Sequence, residues 1–232
     1  MRHEWDPKLY MRFGDERSRG QVDLLSRVHT DAPRDVVDLG CGPGNSTAVL
    51  AARWPEAHLI GVDSSPEMIE QARDELPSAS FEVADLRRWL SRGVQADVVF
   101  THATLQWVPG HLELMGDLVA SVRPGGWLAI SVPGNFAEPS HVLREELAAS
   151  ARYAYFTVGV ASPNAHDPEV YLRSLRALGC TVDAWETTYL HQLQGADGVF
   201  DWVSGTSARP ALQALPEDSS RAVRIGIAGE AP

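Results

Sequence analysis

Four short stretches of this chain carry residue types, at spacings, that could hold a ligand. The first is Val36-Val37-Asp38-Leu39-Gly40-Cys41-Gly42-Pro43-Gly44-Asn45, an apolar strand pattern running into glycines at alternate positions and then into a helix. Glycine is needed where the backbone takes positive φ or where a ligand must approach the main chain. A dinucleotide fingerprint spaces its glycines G-x-G-x-x-G to seat a pyrophosphate on the helix N-terminus. Here the spacing is G-x-G-x-G, and Asn45 stands where that fingerprint has its last glycine. Asp38, two residues before Gly40, suits a ligand with a cationic amino group better than it suits a pyrophosphate. The loop therefore points to S-adenosylmethionine as cofactor, with Asp38, Gly40, Cys41, Gly42, Gly44 and Asn45 around it. A nicotinamide dinucleotide and a plain tight turn are the alternatives.

The second stretch is Asp63-Ser64 with Met68, 19 residues beyond Gly44. A carboxylate at the end of a second strand can accept hydrogen bonds from both ribose hydroxyls; the bland alternative is an acid favoured by a helix dipole. Met68 belongs to the core or touches an adenine. The third is Ala84-Asp85-Leu86, where Asp85 could take the adenine amino group or simply cap a helix. The fourth is Thr101-His102-Ala103-Thr104-Leu105-Gln106-Trp107, just past a fourth strand. Ligands of open α/β sheets sit outside the carboxyl ends of strands, which turns Thr101 and His102 toward the methyl donor. Trp107 could offer its ring face to a sulfonium or serve as lid or core. His102 reads as a polar wall rather than a base.

The elements that must position these residues alternate. Residues 1–34 read as an N-terminal cap with one helix, Ser18–Val28. Strands follow at Val36–Leu39, His58–Asp63, Ser80–Ala84, Asp97–Thr101 and Trp127–Val132. Between them lie helices at Asn45–Arg53, Pro66–Glu75 (capped by Ser64 or Ser65) and His111–Val122, with a short helical turn at Arg87–Leu90 and a turn at Arg123-Pro124-Gly125-Gly126. This βαβ rhythm implies an α/β, doubly wound, mostly parallel sheet in a single domain. The stretch 133–167 breaks the rhythm as an insertion expected over the strand ends. A helix at Pro168–Leu178 and a long strand at Thr181–Leu190 come next, and the tail from Arg209 is weakly patterned.

Composition narrows the function classes. The 232 residues carry a formal net charge of −11, which opposes binding to phosphate backbones, so no nucleic-acid partner is expected. No apolar run reaches the length of a membrane span, and the first ten residues lack a signal core. With two cysteines, Cys41 and Cys180, no disulfide framework is implied, and a cytoplasmic location fits. Lys8 is the lone lysine, so Schiff-base chemistry has little support. The eight histidines show no ligand spacing for zinc, and no metal is expected. Cys41 reads as a small filler rather than a nucleophile.

With those residues in hand, the chain resembles the class I methyltransferases and, within them, the trans-aconitate 2-methyltransferase family. The match is carried by Trp5-Asp6-Pro7 with Tyr10, Glu16-Arg17-Ser18-Arg19, Asp38 to Thr47, Val62 to Met68, and Leu105-Gln106-Trp107. It continues through Val132-Pro133-Gly134-Asn135-Phe136, Glu138-Pro139-Ser140-His141, Gly179-Cys180 and Trp185-Glu186-Thr187-Thr188-Tyr189-Leu190-His191. The resemblance implies methyl ester formation on one carboxylate of trans-aconitate, a small tricarboxylate, in the cytoplasm; no obligate protein partner is evident. Another small acid, or a cofactor-binding module without turnover, are the alternatives. It also implies a further helix and a closing strand beyond Arg209-Pro210, so Thr181–Leu190 is expected to leave an open sheet edge or borrow a partner chain. A carboxylic acid is ionised at pH 7, so no general base is expected. Residues that orient the anion are expected instead: Tyr10 and Arg17 on one face of an N-terminal helix, then Trp107, Asn135, His141, Tyr189 and His191.

Overall fold

The computed structural model describes residues 14–195 and 197–216, with side chains from Ser18 onward. Along the chain lie α1 (Gly14–Ser26), β1 (Asp35–Leu39), α2 (Asn45–Arg53), β2 (His58–Asp63), α3 (Pro66–Glu75), β3 (Ser80–Val83), α4 (Leu86–Leu90) and β4 (Ala96–His102). After two 3-10 turns, Leu105–Trp107 and His111–Leu114, come α5 (Met115–Ala120), β5 (Val122–Ser131), α6 (Pro139–Ala149), α7 (Ala154–Thr157), α8 (Pro168–Ala177), α9 (Gly198–Ser204) and α10 (Arg209–Ala214). The contacts divide the described residues into two units, 14–132 with 166–186, and 133–165 with 187–216.

The first unit is built on a five-stranded sheet in the order β3-β2-β1-β4-β5, every described pairing parallel. Alternation along the strands sends side chains to opposite faces. Val37, Leu39 and Val99 pack with Trp89, Met115 and Leu118 on one side. Val36, Val98 and Phe100 pack with Leu24, Val28, Leu50 and Trp54 on the other. Burying both faces is what makes the strands read as near-continuous apolar runs, and the doubly wound expectation holds.

Local chemistry sets the helix starts. Ser65 caps α3, its hydroxyl accepting from the Met68 N–H at 3.3 Å, with Pro66 in the first turn. Asp85 caps α4, one carboxylate oxygen accepting from the N–H groups of Arg87 and Arg88. The helix expected at His111–Val122 is shorter, a 3-10 turn followed by α5. The expected turn at Arg123–Gly126 lies inside β5, as an irregularity where the ladder to β4 jumps from Ala96–Val122 to Val98–Trp127.

One element is corrected. Thr181–Leu190 forms no strand; it pairs with no neighbour in the described sheet, and each of its residues is half-buried or exposed. Its sequence reads as a strand, but a strand exists only through ladder hydrogen bonds. Side chains fasten its first half instead: Trp185 packs on the Val36–Phe100 cluster, with the Arg27 guanidinium 4.7 Å above its ring. Arg27 also pairs with Asp183 at 3.1 Å.

In the second unit, Leu147 of α6, Tyr153, Phe200 of α9, Leu212 of α10 and Leu215 form a small apolar cluster. Among the described residues, no helix is long and apolar enough to cross a membrane.

Candidate cofactor site

The glycine loop and the ends of β1, β2 and β4 make one polar cluster. Gly40, Gly42 and Gly44 have φ of 78°, 54° and 95°, all in the left-handed region that disfavours side chains. Gly40 and Cys41 donate their N–H groups to the Val62 carbonyl, at 2.7 and 3.1 Å, so the loop folds back over β2. A Cβ on Gly42 would meet nothing within 4 Å. Main chain is therefore exposed on a side where a ligand can reach it.

Two carboxylates flank this loop. Asp38 is buried, and one oxygen accepts from Ser46 Oγ at 2.6 Å and Thr47 Oγ1 at 2.7 Å. That fastens β1 to the first turn of α2, where Gly44 at the cap position offers no side-chain bond. The other oxygen, Oδ1, has no protein partner. Burial, which outweighs the two hydroxyls, raises its pKa to about 6. Asp63 accepts from the N–H of Gly42 at 3.0 Å and of Ser65 at 2.9 Å. It joins the loop to α3, and burial raises its pKa too. Both acids are held away from full ionic stabilisation and keep capacity to accept from a donor-rich ligand.

β4 supplies the third wall. Thr101 is fully buried with Oγ1 unpartnered, and His102 Nδ1 is likewise buried without a partner. Burial lowers the His102 pKa to about 4, so the ring is neutral at pH 7, as suits a wall residue. Helix α1 comes close to it because residue 20 is glycine: a Cβ there would lie 2.9 Å from His102 Cε1.

Past β4, sequence reading missed a lock. Ala103 adopts φ of 51°, rare for a residue other than glycine. Its N–H donates to the Ser131 carbonyl at 2.9 Å, and its carbonyl accepts from the buried Gln106 Nε2 at 2.6 Å. The next residue, Thr104, donates from Oγ1 toward the Gly40 carbonyl at 3.3 Å. A Cβ on Gly40 would lie 2.0 Å from that Thr104 oxygen. Gly40 is thus required twice, by its φ and by Thr104. Alanine carries no signal for left-handed backbone, which is why the lock was not legible.

The remaining candidates fall as follows. Asn45 begins α2, Ser64 is exposed beside Asp63, and Met68 and Leu86 are buried in the core. Asp85 is exposed and caps α4, its bland alternative realised without excluding a second role for the carboxylate. Cys41 packs on Ile69, Ala72 and Phe81. Its thiol pKa is pushed far up, by burial first and then by the charges of Asp38 and Asp63, which fits a filler. Trp107 is half-buried in the 3-10 turn. Asn135, His141, Tyr189 and His191 all belong to the second unit. There, Asn135 is exposed, His141 is buried with its ring edge-on to Phe136, and the His191 ring lies 4.6 Å from that of Trp202. Tyr10 lies outside the described residues, as does the side chain of Arg17.

A family model described as a methyltransferase domain matches residues 36–126, the stretch from β1 into β5. A trans-aconitate 2-methyltransferase of Streptomyces avermitilis is 47% identical over 91% of this chain and 82% of its own length. One from Escherichia coli is 44% identical, covering 94% and 84%. The chain belongs to the trans-aconitate 2-methyltransferase family. Solved structures agree on the fold. An O-methyltransferase family protein from Burkholderia thailandensis superposes with a TM-score of 0.53 at 22% identity, covering 77% of this chain and 56% of that one. A complex of a methyltransferase activator with a methyltransferase from Haloferax volcanii gives 0.58 at 20%, covering 77% of both chains.

The cofactor of this methyltransferase is S-adenosylmethionine, and the cluster fits it. The unpartnered Asp38 Oδ1, the open main chain at Gly42 and the buried Thr101 and His102 atoms are what a ligand bearing an ammonium, hydroxyls and a carboxylate would satisfy. When bound, it supplies an electrophilic methyl group on a sulfonium.

Proposed function

We propose that this methyltransferase esterifies one carboxylate of trans-aconitate, giving a monomethyl ester, in the cytoplasm. The observation that carries the reading is the 44–47% identity, over more than nine-tenths of the chain, to relatives named for that substrate. The chemistry of the site agrees. A carboxylate nucleophile is ionised at pH 7 and needs no base, and the neutral His102 and the strongly protonated Cys41 thiol are poorly placed to act as one. The residues therefore have to bind, orient and exclude water.

In this reading Asp63 accepts from the ribose hydroxyls and Asp38 Oδ1 from the ammonium. Gly40, Gly42, Gly44 and Asn45 present main chain. Ser64, Met68, Asp85 and Leu86 border the adenine, and Thr101 and His102 close the donor side. Trp107, Asn135, His141, Tyr189, His191, Tyr10 and Arg17 are the acceptor-positioning set.

The test uses methyl-labelled S-adenosylmethionine and a panel of di- and tricarboxylates. Base-labile label on trans-aconitate, above all other acids, is expected. Label on another acid only, or cofactor binding without transfer to any, would overturn the substrate assignment.

A further inference from the structure

Gln106, in the 3-10 turn that follows β4, has only one end of its amide engaged. Its Nε2 donates to the Ala103 carbonyl at 2.6 Å, which fixes which end of the amide is nitrogen. Its Oε1 is buried without a partner among the described residues, on a residue that is 6% exposed. A buried acceptor left unpaired is costly, so this oxygen calls for a donor from outside the chain.

The sheet order says where that oxygen sits. Gln106 is fastened to Ala103, and the next residue, Thr104, reaches the Gly40 carbonyl at 3.3 Å. The turn therefore lies against the glycine loop at the end of β1. β1 stands between β2 and β4, and Asp38 is paired with Phe100 of β4. Asp63, at the end of β2, is one strand further from this turn than Asp38 is.

Chemistry then selects the ligand group. An amide oxygen accepts and never donates. A small polycarboxylic acid is ionised at pH 7 and offers this oxygen no donor. S-adenosylmethionine offers an ammonium, two ribose hydroxyls and an adenine amino group. The hydroxyls and the adenine go with Asp63 and Asp85, on the β2 and β3 side; the ammonium goes with Asp38. A primary ammonium carries three N–H donors, and a carboxylate oxygen accepts two at most. Asp38 has one oxygen to give, because Ser46 and Thr47 take the other. At least one ammonium donor is left over, and Gln106 Oε1 is the complementary group.

We propose that Gln106 Oε1 is a second acceptor for the ammonium of the methyl donor, together with Asp38 Oδ1. The proposal rests on the reading of Asp38 as the carboxylate that meets the ammonium. The competing role for Gln106 is a clamp that holds Ala103 at its φ of 51° and touches no ligand.

The experiment uses two ligands and calorimetry. S-adenosylhomocysteine keeps the ammonium; its deamino analogue has hydrogen in place of the amino group. The ratio of their affinities isolates the share of the ammonium. Gln106→Met keeps the length of the side chain and removes the acceptor. A lost hydrogen bond to a charged group predicts about 10- to 100-fold weaker binding of S-adenosylhomocysteine, with little change for the deamino analogue, so the ratio falls by that factor. An unchanged ratio, including equal losses on both ligands as a clamp would give, overturns the proposal. Asp38→Asn tests the reading beneath it and should lower the same ratio. A ratio lowered by Gln106→Met alone removes Asp38 from the ammonium and keeps Gln106 there; a ratio lowered by Asp38→Asn alone does the reverse. Should Gln106→Met fail to fold, Gln106→Glu keeps an acceptor and gives up the bond to Ala103. The ratio should then hold or rise, and a fall overturns the proposal.

Discussion

At the entering end of the sheet, Asp35, Asp97 and Arg123 meet beside water; at the leaving end, Asp38, Asp63, Thr101 and His102 meet away from it. The entering cluster is saturated. Arg123 pairs with Asp35 at 2.6 Å and Asp97 at 2.9 Å, and Asp97 also accepts from the N–H groups of Arg34 and Asp35. The arginine, first among the causes, lowers the Asp97 pKa to about 2 and lowers that of Asp35. The leaving cluster has a carboxylate pushed up to about 6, a histidine pushed down to about 4 and three buried polar atoms without partners. The same strands support both, so the difference is not one of fold. It marks where protein groups complete one another and where a ligand completes them.

The sharpest way to break the contrast is Gly40→Ala. Left-handed strain of about 1–2 kcal/mol adds to an overpacking cost of about 1–3 kcal/mol against Thr104. Thermal unfolding should show a large loss and calorimetry no cofactor binding. Thr104→Ala should restore part of both; no rescue would mean that the two loops are not interlocked.

Next in size is Asp63→Ala. Losing hydrogen bonds to a charged group costs about 1.5–3 kcal/mol, roughly 10- to 100-fold in S-adenosylmethionine affinity. Unchanged affinity with an intact fold would remove Asp63 from the ribose. Tighter binding of NADH than of S-adenosylmethionine would reverse the reading of the loop.

The smallest effects separate the two ends by pH. Asp38 has a folded pKa above its unfolded value of 3.8, so its contribution is full below about 3.8 and is lost as pH rises through about 6. Two pKa units amount to roughly 3 kcal/mol at most. Asp38→Asn should flatten that part of the stability curve in the cofactor-free protein. Asp97 is the reverse: its folded pKa of about 2 gives stability above about 3.8 that is lost as pH falls through 2. Arg123→Ala should cause a small loss near neutrality that fades in about 1 M salt, where screening reaches about 3 Å, and should leave cofactor affinity alone. If Arg123→Ala weakened the cofactor, the two ends would not be separate.

The leaving end was largely legible because its residues obey local rules: glycines where φ is positive, acids at strand ends, Ser65 before Pro66. The lock at Ala103 and Thr104 was not, since its partners are 64 residues apart in sequence and only the fold brings them together. Thr181–Leu190 misled for a different reason: Val182, Thr187, Thr188 and Tyr189 are residue types that suit a strand, but among the described residues no strand pairs with the segment.

The contact between Gly40 and Thr104 also limits how such a gene can drift. As long as residue 104 is threonine, residue 40 cannot take on a side chain, because its Cβ would lie 2.0 Å from the Thr104 oxygen. Descendants of this sequence that keep Thr104 and the loop should therefore keep glycine at residue 40, even where their acceptors have diverged.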